Sequence, residues 1–256
     1  MNAVSKEFKQ TINALSSANT YLDCLVQTKT YLHFLILIIL IILCIITVYI
    51  PFPSFMLNYI NELDIRMQYL IKSFYFSFPI SLVFLFIMRD QRFLFSKKIT
   101  FQQLKISFFC AFIIYAIMLL LLAVLISFTT FRGASHPIGN EGITNMLHKT
   151  PGIAIQLIGE NIMFVSILFF WHKIIRSFII SPIASITASL ILSGSSFGLL
   201  HLSTYNYNWI QCLTIIGIPA IAQMIFFLIF KNIHMGYILH FNYNIIIILF
   251  SYIATI

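Results

Sequence analysis

The sequence predicts an all-α protein, a polytopic transmembrane helical bundle of about seven spans with its N-terminus in the cytoplasm. Three observations predict it. The 256 residues are 60% apolar and only 9% charged, against about 45–50% and about 25% in a soluble domain. The apolar residues, 27 Phe among them, fall into runs close to the roughly 20 residues a helix needs to cross a bilayer. The basic residues lie between those runs and mostly on one side. The same composition excludes a soluble domain and a disordered chain, which is charge-rich and aromatic-poor. The net charge of +8 then reads as membrane topology, not as nucleic-acid binding.

The elements follow in chain order. In residues 1–30, Val4, Phe8, Ile12 and Leu15 share one helical face while Lys6 and Lys9 lie elsewhere. That pattern suits an amphipathic helix in the headgroup region. Spans are read at 31–50, 71–88, 106–128, 153–171, 178–200, 209–230 and 236–255. Pro51 and Pro53 break the helix after the first span. Met56, Ile60, Leu63, Met67 and Leu70 recur at helical spacing, either as an interfacial helix or as an extension of the second span. The stretch 129–152, with Gly133, Pro137, Gly139 and Gly142, reads as a loop. The chain divides into an interfacial segment over 1–30, three spans with their loops over 31–152, and a four-helix core over 153–256. Cys24, Cys44, Cys110 and Cys212 form no CxxC pair and have no His at ligand spacing, so neither a disulfide framework nor a zinc knuckle is expected. No cleavable signal peptide is expected either, because the first 30 residues are mostly polar.

Orientation follows from the basic residues. One set of connections carries eleven of them: Lys6, Lys9, Lys29, Arg89, Arg92, Lys97, Lys98, Lys105, Lys173, Arg176 and Lys231. The opposite set carries four: Arg66, Lys72, Arg132 and Lys149. The first set is cytoplasmic by the positive-inside rule.

The acids are Glu7, Asp23, Glu62, Asp64, Asp90, Glu141 and Glu160. Six fall in loops or interfacial segments and read as surface charges. Glu160 lies about eight residues into the fourth span, in Ile158–Gly159–Glu160–Asn161–Ile162. A charge at the bilayer centre costs about 2.5–3.5 kcal/mol on insertion scales, and no Lys or Arg stands near it in sequence. Glu160 is therefore expected to transfer protons, ahead of a bland role bonding a neighbouring helix. His33, His136, His148, His172 and His234 sit at span ends or in loops and read as interfacial or solvated. His201 closes Ser195–Ser196–Phe197–Gly198–Leu199–Leu200–His201. His240 lies about nine residues beyond Lys231, about 13 Å along a helix. Asn244 follows it by one turn on the same face. The bland alternative for these two is a packing hydrogen bond between helices.

The order and spacing of these residues resemble the CPBP family of intramembrane proteases, which includes type II CAAX prenyl proteases and bacteriocin-processing or self-immunity proteins. Its three motifs are E-E-x-x-x-R, F-x-x-x-H and H-x-x-x-N. Phe197 and His201 match the second, and His240 and Asn244 the third. Glu160 alone matches the first, with Asn161 in place of the second Glu and Val165 in place of the Arg. The likeness covers about residues 153–250. It implies hydrolysis of a peptide bond in a small peptide or membrane protein, for bacteriocin maturation or self-immunity. The loops and spans themselves read as a multi-pass protein of the bacterial plasma membrane, with an organellar membrane as the alternative. The likeness implies that Glu160 with His201 activates a water, and that His240 with Asn244 donates to the oxyanion. No cofactor, metal or nucleic acid is expected. Zinc is the alternative, since two His and one Glu form an acceptable set, but three helices carry them and no HExxH spacing is present. Loss of the second Glu together with the Arg removes an ion pair as a unit and leaves no orphan charge.

Two other functions are weighed. Asn161 and Val165 motivate a non-catalytic membrane immunity or regulatory protein acting by helix–helix contact. A proton-coupled transporter carrying its proton on Glu160 lacks an apparent inverted repeat. Depth is a check on all three. Glu160 is expected about 10 Å below the outer edge and His240 about 13 Å above the inner edge of a core about 30 Å thick. His201 is displaced toward the outer interface unless its helix tilts strongly or starts after Pro182. Ser203, Thr204, Tyr205, Asn206, Tyr207 and Asn208 are suited to line a water-filled cavity.

Overall fold

A computed structural model describes residues 2–49, 54–128 and 143–253. The described residues are helices and short connections, with no strand among them. In order they are α1 (Asn2–Gln27), α2 (Tyr31–Tyr49), α3 (Ser54–Glu62), α4 (Ile65–Met88), α5 (Arg92–Phe95), α6 (Phe101–Phe128), α7 (Ile143–Phe178), α8 (Pro182–Leu199), α9 (Trp209–Gln211), α10 (Ile218–Phe230) and α11 (Ile233–Ile253). A π-helical turn, Cys212–Gly217, joins α9 to α10. The architecture is an all-α polytopic bundle. Six helices are long and apolar enough to cross a membrane, and α1 with α2, bent by 92°, makes a seventh crossing if the pair counts as one. Pro51, Pro53, His136, Glu141 and residues 129–142 lie outside the described residues.

Several boundaries differ from the expected ones, and local chemistry explains each. Asp64 caps α4, its carboxylate accepting from the Met67 amide at 2.9 Å. The second span therefore starts at Ile65, and Met67 and Leu70 belong to it while α3 stands apart. The segment 143–152, expected as loop, is the start of α7. Gly152 allows this: a Cβ there would stand 2.8 Å from the Tyr69 ring and 3.0 Å from the Tyr69 carbonyl carbon. Only a bare backbone fits that close against α4. Ser181 caps α8 with Pro182 at its first position, so the fifth span starts four residues later than expected, about 6 Å deeper.

The bundle is built around α7. Two thirds of its apolar window is buried (67%), against 11% for α6, so α7 is the axis and α6 a peripheral helix. Residues 161–169 of α7 are all buried. Helix α4 lies along α7, closest at Gly159, where a Cβ would meet Ser77 Oγ at 2.7 Å. Ser77 Oγ also donates to the Ile155 carbonyl at 2.7 Å. Small residues at the contact let two membrane helices approach closely, the usual source of their attraction in lipid. Helix α11 packs between α6, α7 and α10. Helix α8 presses on the π turn through Gly198, whose Cβ would stand 2.5 Å from the Cys212 carbonyl.

Helix α1 is more than an interfacial helix. Its last turns, with Leu22, Leu25 and Val26 buried, join the same core as α7, and it contacts α7, α8 and α10.

Candidate active site

Three elements meet where the sequence places its candidates. Helix α7 carries Glu160, the turns after α8 carry His201, and α11 carries His240 and Asn244. Helix α8 ends at Leu199, so His201 stands beyond its last turn, in a chain of tight turns over 200–207. Those turns include two non-glycine residues in the left-handed region, Asn206 at φ 52° and Tyr207 at φ 59°. A left-handed Tyr is a genuine strain, held here by the Tyr207 amide donating to the Leu202 carbonyl at 2.7 Å.

Phenylalanines set the imidazoles. The Phe164 and Phe197 rings meet edge to face at 5.8 Å. The His201 ring lies 4.9 Å from Phe197, and the His240 ring 6.0 Å from Phe164 and 6.5 Å from Phe197. The two histidines are within electrostatic reach of each other.

Glu160 Oε2 stands 3.7 Å from His240 Nε2, with the side chains 12% and 7% exposed. Its other oxygen, Oε1, accepts from Gln156 Nε2 at 2.7 Å. The carboxylate therefore has one oxygen committed and one turned to the imidazole. His201 Nδ1 stands 3.0 Å from the Phe197 carbonyl. A carbonyl only accepts, so Nδ1 carries the proton and Nε2 keeps a lone pair. Tyr205, buried in the loop, is within electrostatic reach of Glu160. A carboxylate and a bare imidazole nitrogen in an apolar wall can hold a water and take its proton.

Asn244 is placed differently. Its Nδ2 donates to the His240 carbonyl at 3.1 Å, on its own helix. Val165 is fully buried in the apolar core. Asn161 Nδ2 donates to the Ile233 carbonyl at 3.3 Å, tying α7 to the start of α11. Among the described residues, no three His, Cys, Asp or Glu side chains stand close enough together to hold a metal ion.

Sequence reasoning missed two sets of residues. Gln156 precedes Glu160 by one helical turn, and that spacing was the available signal. The other set corrects two expectations. Asp23, expected as a surface charge, and His172, expected as interfacial, meet inside the bundle. His172 is 0% exposed, with Nε2 3.0 Å from Asp23 Oδ1 and Nδ1 3.3 Å from Ser189 Oγ. Asp23 Oδ2 also accepts from Arg176 Nε at 3.3 Å and from Asn19 Nδ2 at 2.9 Å. This cluster pins α1 to α7 and α8, far along α7 from Glu160.

No family model matches the chain, no curated protein matches it, and no solved structure matches it.

Proposed function

We propose that the chain is an intramembrane endopeptidase of the CPBP kind, hydrolysing a peptide bond in a small peptide or membrane protein. The observation that carries this reading is the Glu160–His240 pair, 3.7 Å apart on two helices of an apolar bundle, beside a His201 with a bare Nε2. An acid and two imidazoles gathered at one place in hydrocarbon are costly, and such groups are functional by default. Glu160 and His240 make the water-activating couple. As the water oxygen attacks the substrate carbonyl, its proton passes to this couple, which later returns it to the leaving amine. Gln156 holds the carboxylate in orientation. The oxyanion falls to the Tyr205 phenol and to Asn244 once its amide leaves the His240 carbonyl. The site residues are thus Glu160, His201, His240 and Asn244, with Gln156 and Tyr205 added. The location that suits the reading is a bacterial plasma membrane, and bacteriocin maturation or self-immunity is the process the motifs favour.

The test compares new protein N-termini in cells making the wild-type chain or Glu160→Gln at equal abundance. Cleavage products present with the wild type should fall by about 10²–10⁴-fold in the variant. Equal products from both chains would sink the peptidase reading. Cleavage is also expected to survive EDTA. A loss restored by zinc would move the mechanism to a metal.

A second reading has one observation of its own. Asn244 is turned to its own helix, which suits a non-catalytic immunity or regulatory protein acting through helix contacts. That reading predicts that a Glu160→Gln, His240→Gln double variant keeps the cellular phenotype.

A further inference from the structure

The described cations of the more basic set of connections fall into two groups. Lys29 and Arg89 pair with Asp90 at 3.4 and 3.3 Å. Lys173 donates to the Val26 carbonyl, and Arg176 to Asp23 and to the Ile179 and Ile180 carbonyls. Lys231 reaches Ser17 Oγ at 3.3 Å. Arg92, Lys97, Lys98 and Lys105 differ. All four are exposed, and among the described residues no oxygen accepts from any of their side chains. Asp90, the acid nearest them in sequence, is already taken. The positive-inside rule accounts for cations on this side. It does not account for one continuous stretch, 92–105, whose cations the protein leaves unanswered.

The same stretch exposes large apolar side chains between the cations: Phe93 (75%), Leu94, Ile99 and Phe101 (72%). The Arg92 guanidinium carbon lies 4.7 Å from the Phe93 ring centroid, and Lys105 Nζ lies 4.7 Å from that of Phe101. Each pair sets a cation beside an apolar ring, a combination that suits the headgroup level of a bilayer. Height agrees. From Ile65 the helical chain runs 31 residues to Phe95, against roughly 20 needed to cross the hydrocarbon. The polar run Arg89–Asp90–Gln91–Arg92 marks where it leaves that layer.

The stretch is also held in place. Asn232, 1% exposed, accepts from the Lys97 amide at 3.3 Å and donates to the Lys97 carbonyl at 3.0 Å. Ser96 Oγ stands 2.9 Å from His234 Nε2, and the Leu94 carbonyl accepts from the Tyr21 hydroxyl at 3.1 Å. Bonds to α1 and to the turn between α10 and α11 thus fix the backbone and leave the cationic heads outside. A surface ordered in advance loses little freedom on meeting a ligand.

We infer that residues 92–105 form a docking surface for anionic phospholipids, the four cations meeting the phosphates and the four apolar side chains the upper acyl carbons. An acidic protein would answer the cations alone. Lipid offers a charged layer and an apolar layer at adjacent depths, which is the pattern this stretch presents. The inference does not rest on the peptidase reading.

Native mass spectrometry of the full chain, released from neutral detergent micelles, counts the bound lipid. Phosphatidylglycerol is expected to bind about tenfold or more tightly than phosphatidylcholine with the same chains. A cation near an anionic surface is worth about fivefold in affinity. Lys97→Gln, Lys98→Gln should therefore weaken phosphatidylglycerol about 25-fold and leave phosphatidylcholine unchanged. Arg66→Gln, Lys72→Gln removes the same charge from the opposite set of connections and should change neither lipid. Thermal unfolding of the wild type in the same micelles is a second reading that needs no variant. Phosphatidylglycerol should raise the midpoint, whereas inorganic phosphate or a polyglutamate peptide should not. Equal binding of the two lipids overturns the inference, as does an equal loss in the two double variants. A midpoint raised as much by inorganic phosphate overturns the lipid as the source, and one raised as much by polyglutamate moves the partner to an acidic protein and overturns it too.

Discussion

A carboxylate inside an apolar span must be answered by its neighbours, and Glu160 is answered twice. Gln156 holds Oε1 at 2.7 Å and His240 faces Oε2 at 3.7 Å. A hydrogen bond to a charged group is worth about 1.5–3 kcal/mol. Gln156→Leu should therefore slow cleavage about tenfold or more with little change in protein abundance, read as an initial rate on one substrate. An unchanged rate would remove Gln156 from the site. At this scale the sequence was legible where depth alone decided: Glu160 and His240 stand inside apolar runs, and the fold brings them together. It was not legible at Asp23 and His172, which are 149 residues apart. Asp23 lies in the mostly polar first 30 residues and His172 just past the expected end of the fourth span, so position along the chain suggests surface groups. Only the docking of α1 shows otherwise.

Helices take their places here by close approach more than by hydrophobic stripe, since lipid is as apolar as the core. Gly159 lies next to Glu160 and faces Ser77 of α4. Gly159→Val should push α4 from α7 and cost about 1–3 kcal/mol, as overpacking does. Thermal unfolding in detergent measures it, and Gly198→Ala at the π turn should act the same way. Unaltered unfolding in both would show that these contacts are looser than described. The starts of α4 and α8 were written in the sequence, in Asp64 and in Ser181–Pro182, as capping signals. Apolar run lengths hid them, because the fifth run extends past the cap of α8 while the second begins six residues inside α4. The π turn had no such signal: Cys212–Gly217 reads as ordinary apolar helix, and its form depends on Gly194 and Gly198 across the contact.

At the scale of the molecule, composition made the class plain: an all-α bundle in a membrane. The number of crossings was less plain, because a 92° bend between α1 and α2 leaves no trace in hydrophobic periodicity, which reports faces and not angles between helices. Asp23, Arg176 and His172 hold that bend against the bundle. Asp23→Ala leaves a buried His172 and an Arg176 without their carboxylate. It should cost about 1–3 kcal/mol, below the 3–5 kcal/mol of a fully buried pair because Asp23 is partly exposed. Thermal unfolding reads this loss; wild-type behaviour would mean that α1 docks by its apolar face alone. By the positive-inside rule the basic residues predict a cytoplasmic N-terminus. A reporter fused there should be active inside the cell, and an active reporter outside would reverse the topology.

The central claim is that Glu160 and His240 activate a water for peptide hydrolysis, and heavy-oxygen water tests it most directly. Purified full chain in proteoliposomes is given, in that water, a substrate found by comparing wild-type and Glu160→Gln cells. The newly made carboxyl terminus should then carry one heavy oxygen with the wild type, and no product should form with Glu160→Gln or His240→Gln. Labelled product from either variant at the wild-type rate would contradict the account.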